Sequence, residues 1–283
     1  MPNYNDDDDR PRRSERDRDD DDRPRRDRNR DDDRDEPRRP AKKKGMSTGL
    51  IIGIVVGVLL LCVALPIVAV IPAMSKVRSA AARSQDSNNL KQIGIAGHGV
   101  ADSTNQFANG PYATDPIAGS PNTGLSFRVG LLPYMEYDSI YRQFRTSEAW
   151  DSASNRPLGS TLIRPLSSPL DPGVATTRYR AFVGPGSVFE PGVKVTLMSI
   201  TDGTSNTIYV VGADEGVVWS KPEELYYTAT GPLPSIGQKS YPGGTNVAMC
   251  DGSVRFLSNK MPETVLRALI TRNGNEELPP GGY

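Results

Sequence analysis

Two short stretches contain the residue types that could bind a cation, and each is built around an aspartate followed by a glycine. Asp202 begins the stretch DGTSNT, and Asp251 lies in CDGSV. Calcium takes six to eight oxygen ligands, and the side chains around Asp202 could supply several of them. An aspartate before glycine is also typical of a turn in which the carboxylate accepts a hydrogen bond from the backbone two residues on. No EF-hand spacing is present, so we favour turns and keep both aspartates only as candidate metal ligands.

Three other side chains are candidate contacts for a ligand or partner: His98, Trp219 and Tyr241. His98 is the only histidine, and the two cysteines, Cys62 and Cys250, are far apart in the sequence. A zinc site needs several Cys or His ligands, so this composition argues against one. A single histidine also gives little basis for a Ser-His-Asp arrangement. We therefore predict a non-enzymatic protein without a cofactor, in which His98 ends a helix beside its terminal carbonyls.

Two adjacent acidic residues, Glu223 and Glu224, follow Pro222. Carboxylates this close in sequence do not define a glycosidase site, which needs them on opposite sides of a cleft. The pattern predicts the first turn of a short helix, with proline at its start and acids near its positive end. A protein that bound a solute or glycan would need an aromatic-lined pocket instead. Its candidate walls are Trp150, Trp219, Tyr226 and Tyr227.

The elements that must position these residues are a long helix and a set of short strands. Apolar residues spaced by three and four, from Met74 and Val77 to Leu90 and Ile93, predict a helix over residues 73–97. Shorter helices are expected at 137–145 and 265–270. Candidate strands are Arg178–Val183, Val193–Met198, Thr207–Val211, Val217–Trp219, Val247–Cys250 and Ser253–Leu257. The Asp-Gly pair at 251–252 predicts a type I′ hairpin between the last two strands, so the fold class is α+β with an antiparallel sheet.

The stretch from Thr48 to Pro72 is almost wholly apolar and contains no charged residue. As a helix it would be about 37 Å long, enough to cross a hydrocarbon core of about 30 Å. We therefore predict a transmembrane helix at 48–72 that continues into an extramembrane domain at 73–283, with the lipid bilayer as one partner. The two cysteines could not pair across this arrangement, so no disulfide stabilises the domain.

Residues 1–47 form an Asp/Arg-rich tail that we predict to be disordered. Residues 1–45 carry 16 acidic and 16 basic side chains and no Leu, Ile, Val, Phe or Trp. We do not expect nucleic acid as a partner, because the acidic and basic charges of the tail cancel. Eight Lys and Arg occur at 28–47 against four at 73–92. The positive-inside rule then predicts a single-pass inner-membrane protein with a cytoplasmic N-terminus and an extracytoplasmic C-terminal domain.

Five stretches, in order, resemble the DUF1559 family: Pro72–Ala96, Ser199–Thr207, Val217–Leu225, Tyr241–Leu257 and Leu266–Glu277. These are pilin-like, membrane-anchored proteins abundant in planctomycete bacteria, also called bacterial extracellular solute-binding protein family 10. The resemblance implies an N-terminal pilin-like helix packed on an antiparallel sheet, at the cell envelope, with no established reaction. It implies a structural or interaction role, through a protein partner or self-association; the alternative is binding of an extracellular solute or glycan.

The chain departs from the family pattern at two places. Relatives often carry a prepilin processing site before the apolar run, with Phe directly after a Gly and Glu five residues on. Here Gly45 is followed by Met46, and both the Phe and the Glu are missing. Cleavage and assembly into a fibre are therefore less expected than a permanent anchor. Many relatives have His at the position of Tyr241, and its replacement argues against a ligand role there.

Overall fold

The computed structural model describes residues 45–107, 124–237 and 239–279, without the side chains of 64–73. The helices are α1 (Thr48–Thr104), α2 (Phe127–Leu131), α3 (Asp138–Tyr141), α4 (Arg156–Gly159) and α5 (Glu263–Ile270). The strands are β1 (Thr176–Arg180), β2 (Phe182–Val183), β3 (Ile208–Val218), β4 (Leu225–Tyr226), β5 (Gly244–Met249) and β6 (Val254–Ser258). These elements confirm the α+β class.

The main sheet has four strands in the order β1-β3-β5-β6, and every neighbouring pair is antiparallel. Its register pairs Tyr179 with Gly212, Val211 with Val247, and Asn246 with Phe256. The predicted antiparallel sheet is therefore confirmed. Strands β2 and β4 form a separate two-stranded parallel sheet, which no pattern in the sequence predicted.

The two faces of the main sheet are covered by different helices. Because successive side chains of a strand point to opposite faces, neighbouring residues of β5 enter different cores. Ala248 lies in the cluster that contains Leu90 of α1, whereas Met249 lies in the cluster that contains Leu269 of α5. The sheet is thus the middle layer, with α1 and the long loops on one side and α5 on the other.

The helix predicted at residues 73–97 is present but longer, because α1 continues to Thr104. The second half of the predicted range 73–97 follows the predicted pattern, since Leu90 and Ile93 are at most 1% exposed. The first half does not, since Met74 and Val77 are 48% and 67% exposed. The apolar spacing therefore identified the helix correctly but predicted too long a buried face.

The chain divides into two units, residues 1–58 and 59–283. Within the first unit the structure describes residues 45–58, which are helical from Thr48. No helix among the described residues is both long and apolar enough to cross a bilayer. The predicted span at 48–72 extends into positions 64–73, whose side chains lie outside the described set. Residues 1–44 of the predicted disordered tail also lie outside the described residues.

The hairpin predicted around Asp251 and Gly252 is present, but its turn is not type I′. A type I′ turn needs positive φ at both central residues, whereas Gly252 has φ +75° and Asp251 is outside the positive-φ region. The Gly252 N–H donates to the Met249 carbonyl at 3.0 Å, and the Met249 N–H donates to the Ser253 carbonyl at 2.8 Å. This geometry is that of a three-residue loop in which glycine takes the left-handed position.

Two other strand predictions were wrong in instructive ways. Residues 193–198 form no strand, because Thr196 and Ser199 make a reciprocal capping box that starts a 3₁₀ turn at Leu197–Ser199. The strands predicted at 207–211 and 217–219 are one strand, β3. The polar residues between them do not break it, since buried Asp214 accepts hydrogen bonds from the Ser235 hydroxyl at 2.6 Å and the Lys239 N–H at 2.8 Å.

Candidate functional site

His98 lies inside α1, six residues before the helix ends at Thr104, so the prediction that it ends the helix was wrong. Its ring is half-buried and lies 5.3 Å, centroid to centroid, from the ring of Phe107. A Cβ placed on Gly252 would be 3.6 Å from Nε2 of His98. This nitrogen is buried without a hydrogen-bond partner among the described residues. The structure therefore places His98 beside the β5–β6 turn, near Asp251.

Tyr241 lies close to a buried carboxylate on α1, that of Asp86. Asp86 is 3% exposed and accepts hydrogen bonds from the Tyr179 hydroxyl and the Asn246 amide, both at 2.8 Å. Tyr241 is also buried, and its hydroxyl donates to the Ala82 carbonyl at 3.3 Å. Burial raises the pKa of Asp86, and the hydrogen bonds from Asn246 and Tyr179 partly oppose this shift. Tyr241 thus helps to fasten α1 to the sheet.

Trp219 is a core residue, only 1% exposed. Its indole N–H donates to the Thr161 carbonyl at 2.9 Å, and its ring lies 5.6 Å from that of Phe144, edge to face. Tyr227 is 4% exposed. The aromatic pocket predicted from Trp219 and Tyr227 together with Trp150 and Tyr226 is therefore not an open pocket in this fold.

The predicted helix start at Pro222 is also wrong, because residues 222–224 form an irregular loop before β4. Glu224 is buried and forms an ion pair of 2.8 Å with Nη1 of Arg128, which is fully buried. The guanidinium also donates to the carbonyls of Tyr179, Trp219 and Lys221 at 2.7–2.9 Å. Burial raises the pKa of Glu224, and Arg128 opposes this shift. No sequence pattern predicted this ion pair, since its two residues are 96 positions apart in the chain.

The two candidate metal ligands have well-defined hydrogen bonds instead. The carboxylate of Asp202 accepts from the backbone N–H groups of Gly274 at 2.7 Å and Asn275 at 3.0 Å. Asp251 accepts from the Ser253 N–H, two residues on, at 2.7 Å, which is the turn bond expected of an aspartate before glycine. Within the described ranges, no group of three or more His, Cys, Asp or Glu is placed to hold a metal ion.

An open groove of about 710 Å³ runs beside α1. One wall is a face of α1 with three amide side chains at helical spacing, Gln85, Asn89 and Gln92. The other walls are the corner at residues 135–137 and the loop at 162–173. Its volume is in the range of ordinary small-molecule sites. None of the predicted site residues lines this groove.

Together these features define a class of protein: an α+β domain in which one end of a long helix is fastened to an antiparallel sheet by buried polar groups. A family model described as "Protein of unknown function (DUF1559)" (SBP_bac_10) matches residues 75–188. The chain therefore carries a DUF1559 segment, which confirms the predicted resemblance. Neither the curated proteins nor the solved structures contain a match to this chain.

Proposed function

We propose that this is a membrane-anchored, non-enzymatic envelope protein with a single span at residues 48–72. Its pilin-like domain at 73–283 would lie outside the cytoplasm and serve a structural or interaction role. The observation that carries the proposal is the surface of α1 between Leu50 and Val63, where eleven large apolar side chains are 44–66% exposed. A continuous apolar surface of this kind is typical of a membrane or protein contact.

The bilayer is the partner that best fits this surface, because apolar side chains are exposed around the whole helix and not along one stripe. Each Leu, Ile or Val near the centre of a span favours insertion by roughly 0.3–0.6 kcal/mol. No charged residue between Thr48 and Pro72 opposes them. The excess of basic residues before the span supports a cytoplasmic N-terminus.

Alkaline carbonate extraction of isolated membranes tests the anchor. We expect the full chain to remain in the pellet and to be released only by detergent. The double variant Leu59→Arg/Leu60→Arg should become extractable, since each arginine at the centre of a span costs about 2.5–3.5 kcal/mol. Met198→Arg is the matched control, because Met198 is 91% exposed on the domain. Extraction of the unaltered chain by carbonate would refute the proposal.

The orientation is tested with single cysteines in a Cys62→Ser background, because Cys250 is buried. Lys260→Cys places a thiol at an exposed position of the domain, and Ser14→Cys places one in the N-terminal tail. A membrane-impermeant maleimide applied to spheroplasts should label the first variant and label the second only after lysis. The opposite pattern would reverse the proposed topology.

A second candidate function is the binding of an extracellular solute, which the groove beside α1 favours. The groove lies within the DUF1559 segment, since its lining residues run from Gln85 to Gly173. Binding and anchoring are compatible, because the apolar surface at 50–63 and the groove use different residues. An extracellular solute would then bind to a protein that is anchored in the membrane.

A further inference from the structure

The groove beside α1 is lined by four polar side chains that could form hydrogen bonds with a ligand. Within the described part of the chain, no hydrogen bond or ion pair joins another residue to the amides of Gln85 and Gln92, the carboxylate of Glu136 or the guanidinium of Arg164. Asn89 differs, because its amide donates to the Ser167 carbonyl at 2.9 Å and to the Tyr179 hydroxyl at 3.1 Å. Asn89 therefore joins α1 to the opposite wall, and the other four residues line the groove with exposed polar side chains.

The geometry of the walls is held by the backbone as well. Glu136 has φ +68°, an uncommon value for a residue with a side chain, at the end of the 3₁₀ turn Leu132–Met135. The Tyr137 hydroxyl accepts the Arg164 N–H at 3.3 Å and so joins the corner to the loop. The groove is thus a formed feature between three connected elements.

The lining indicates the chemistry of the ligand. One carboxylate and one guanidinium cancel in charge, so neither an anion nor a cation is favoured over a neutral molecule. The amides of Gln85 and Gln92 supply both donors and acceptors, as hydroxyl groups require. The half-buried Tyr137 ring adds flat apolar surface, on which the C–H face of a sugar ring can lie. These features together fit a neutral molecule rich in hydroxyl groups.

A peptide fits the groove less well. Extended peptides are usually bound by adding a strand to a sheet edge, and helical ones need a mainly apolar groove. Here the walls are a helix side, a 3₁₀ corner and a loop that ends before β1 begins at Thr176. No strand of the described fold lines the groove, and its helical wall presents amides.

We infer that the groove formed by Gln85, Gln92, Glu136, Tyr137 and Arg164 is a binding site for a neutral oligosaccharide. This inference rests on the second candidate function and names its site and ligand class. The site would hold a glycan chain between the amides of α1 and the Glu136–Tyr137 corner, while the membrane anchor is a separate property.

Isothermal titration of the detergent-solubilised full chain with cellohexaose, chitohexaose, maltohexaose and xylohexaose tests the inference. We expect at least one to bind saturably. Gln85→Ala/Gln92→Ala should weaken that binding about tenfold or more through the loss of two hydrogen-bonding amides. Arg164→Ala should weaken it as well. Gln143→Ala is the matched control, because Gln143 is exposed outside the groove and should leave the affinity unchanged.

Each other outcome overturns the inference. Saccharide binding that the groove variants do not change would keep the solute-binding function but move its site elsewhere. A lack of binding by all four saccharides would refute both the solute-binding function and the proposed site. A neutral peptide, for which hexaproline is the probe, that bound with the same sensitivity to the variants would replace the saccharide as ligand. None of these results affects the carbonate test of the anchor.

Discussion

The guanidinium of Arg128 joins β1, the loop after β3 and Glu224 at a place with no access to solvent. Removal of this side chain would leave the buried carboxylate of Glu224 without its cation. Breaking a buried pair in this way typically costs about 3–5 kcal/mol. We therefore expect Arg128→Ala to lower the free energy of unfolding by about that amount, as measured by urea denaturation of the solubilised protein.

The control for this prediction is Arg142→Ala, because the Arg142–Asp138 pair is exposed, with 77% and 46% of the two side chains accessible. An exposed pair contributes about 0–1 kcal/mol. The double variant Arg128→Met/Glu224→Leu removes both buried charges and should recover much of the lost stability. Equal effects of Arg128→Ala and Arg142→Ala would show that the buried pair has no special role.

A second prediction concerns Asp86, whose pKa is raised by burial. A carboxyl with a higher pKa in the folded state binds its proton more tightly there. Its contribution to stability is therefore fully present below the unfolded-state pKa and is lost as the pH rises through the folded-state value. Relative to wild type, Asp86→Asn should thus become progressively more stable as the pH rises above about 4.

Urea denaturation at a series of pH values measures this difference in the free energy of unfolding. The substitution also changes the hydrogen bond with Asn246, which shifts the free energy of unfolding by an amount that does not depend on pH. Asp102→Asn, at an exposed position on the same helix, is the control with which Asp86→Asn is compared at each pH. A difference for Asp86→Asn that stayed constant with pH would contradict the prediction.

At the scale of elements, α1 depends on glycine where it meets the sheet. A Cβ on Gly97 would lie 2.6 Å from the hydroxyl oxygen of Tyr209, which is fully buried. Alanine favours the helix itself by about 1 kcal/mol. We expect the clash to exceed this gain, so that Gly97→Ala lowers stability by about 1–3 kcal/mol.

Thermal unfolding followed by near-ultraviolet circular dichroism measures the effect, because buried aromatic side chains such as Tyr209 contribute to that signal only while they are packed. Gly53→Ala is the matched control in the same helix, since a Cβ there has nothing within 4 Å. It should leave the transition temperature unchanged or raise it slightly, because alanine favours the helix and meets no clash there. A stabilising effect of Gly97→Ala would mean that the helix can move away from Tyr209 without cost.

The elements that could be predicted from sequence are those specified locally. The hairpin follows from Asp251-Gly252 and its flanking apolar residues, and α5 follows from its apolar face. Strand β3 was divided wrongly because its polar centre is satisfied by Ser235 and Lys239, which are more than twenty residues away in the sequence. Contacts of that kind leave no local pattern.

The candidate site shows the same limit. The spacing of Gln85, Asn89 and Gln92 by four and three places them on one helix face, and this signal was available in the sequence. The opposite wall of the groove could not be predicted from the sequence, because the loop at 162–173 reaches α1 through tertiary contacts such as that between Asn89 and Ser167. The burial of Asp86, between Gln85 and Asn89, was equally invisible, since polar residues surround it in the sequence.

At the scale of the whole molecule, the proposed permanent anchor implies that the entire chain stays at the membrane. Gly45 is followed by Met46, without the Phe and Glu expected of a prepilin processing site. We therefore expect the protein extracted from native membranes to have the intact mass of the full chain, or of the chain without Met1. Mass spectrometry of the purified protein measures this directly.

A loss of about 45 residues, with or without methylation of the new N-terminus, would contradict this expectation. It would remove the basic residues Arg38, Arg39 and Lys42 to Lys44, which support the proposed orientation. It would also leave the apolar segment at the start of the mature chain, as in pilins. Assembly into a fibre through that segment would then replace the permanent anchor as the leading function. Binding in the groove would be unaffected, because its lining begins forty residues later, at Gln85.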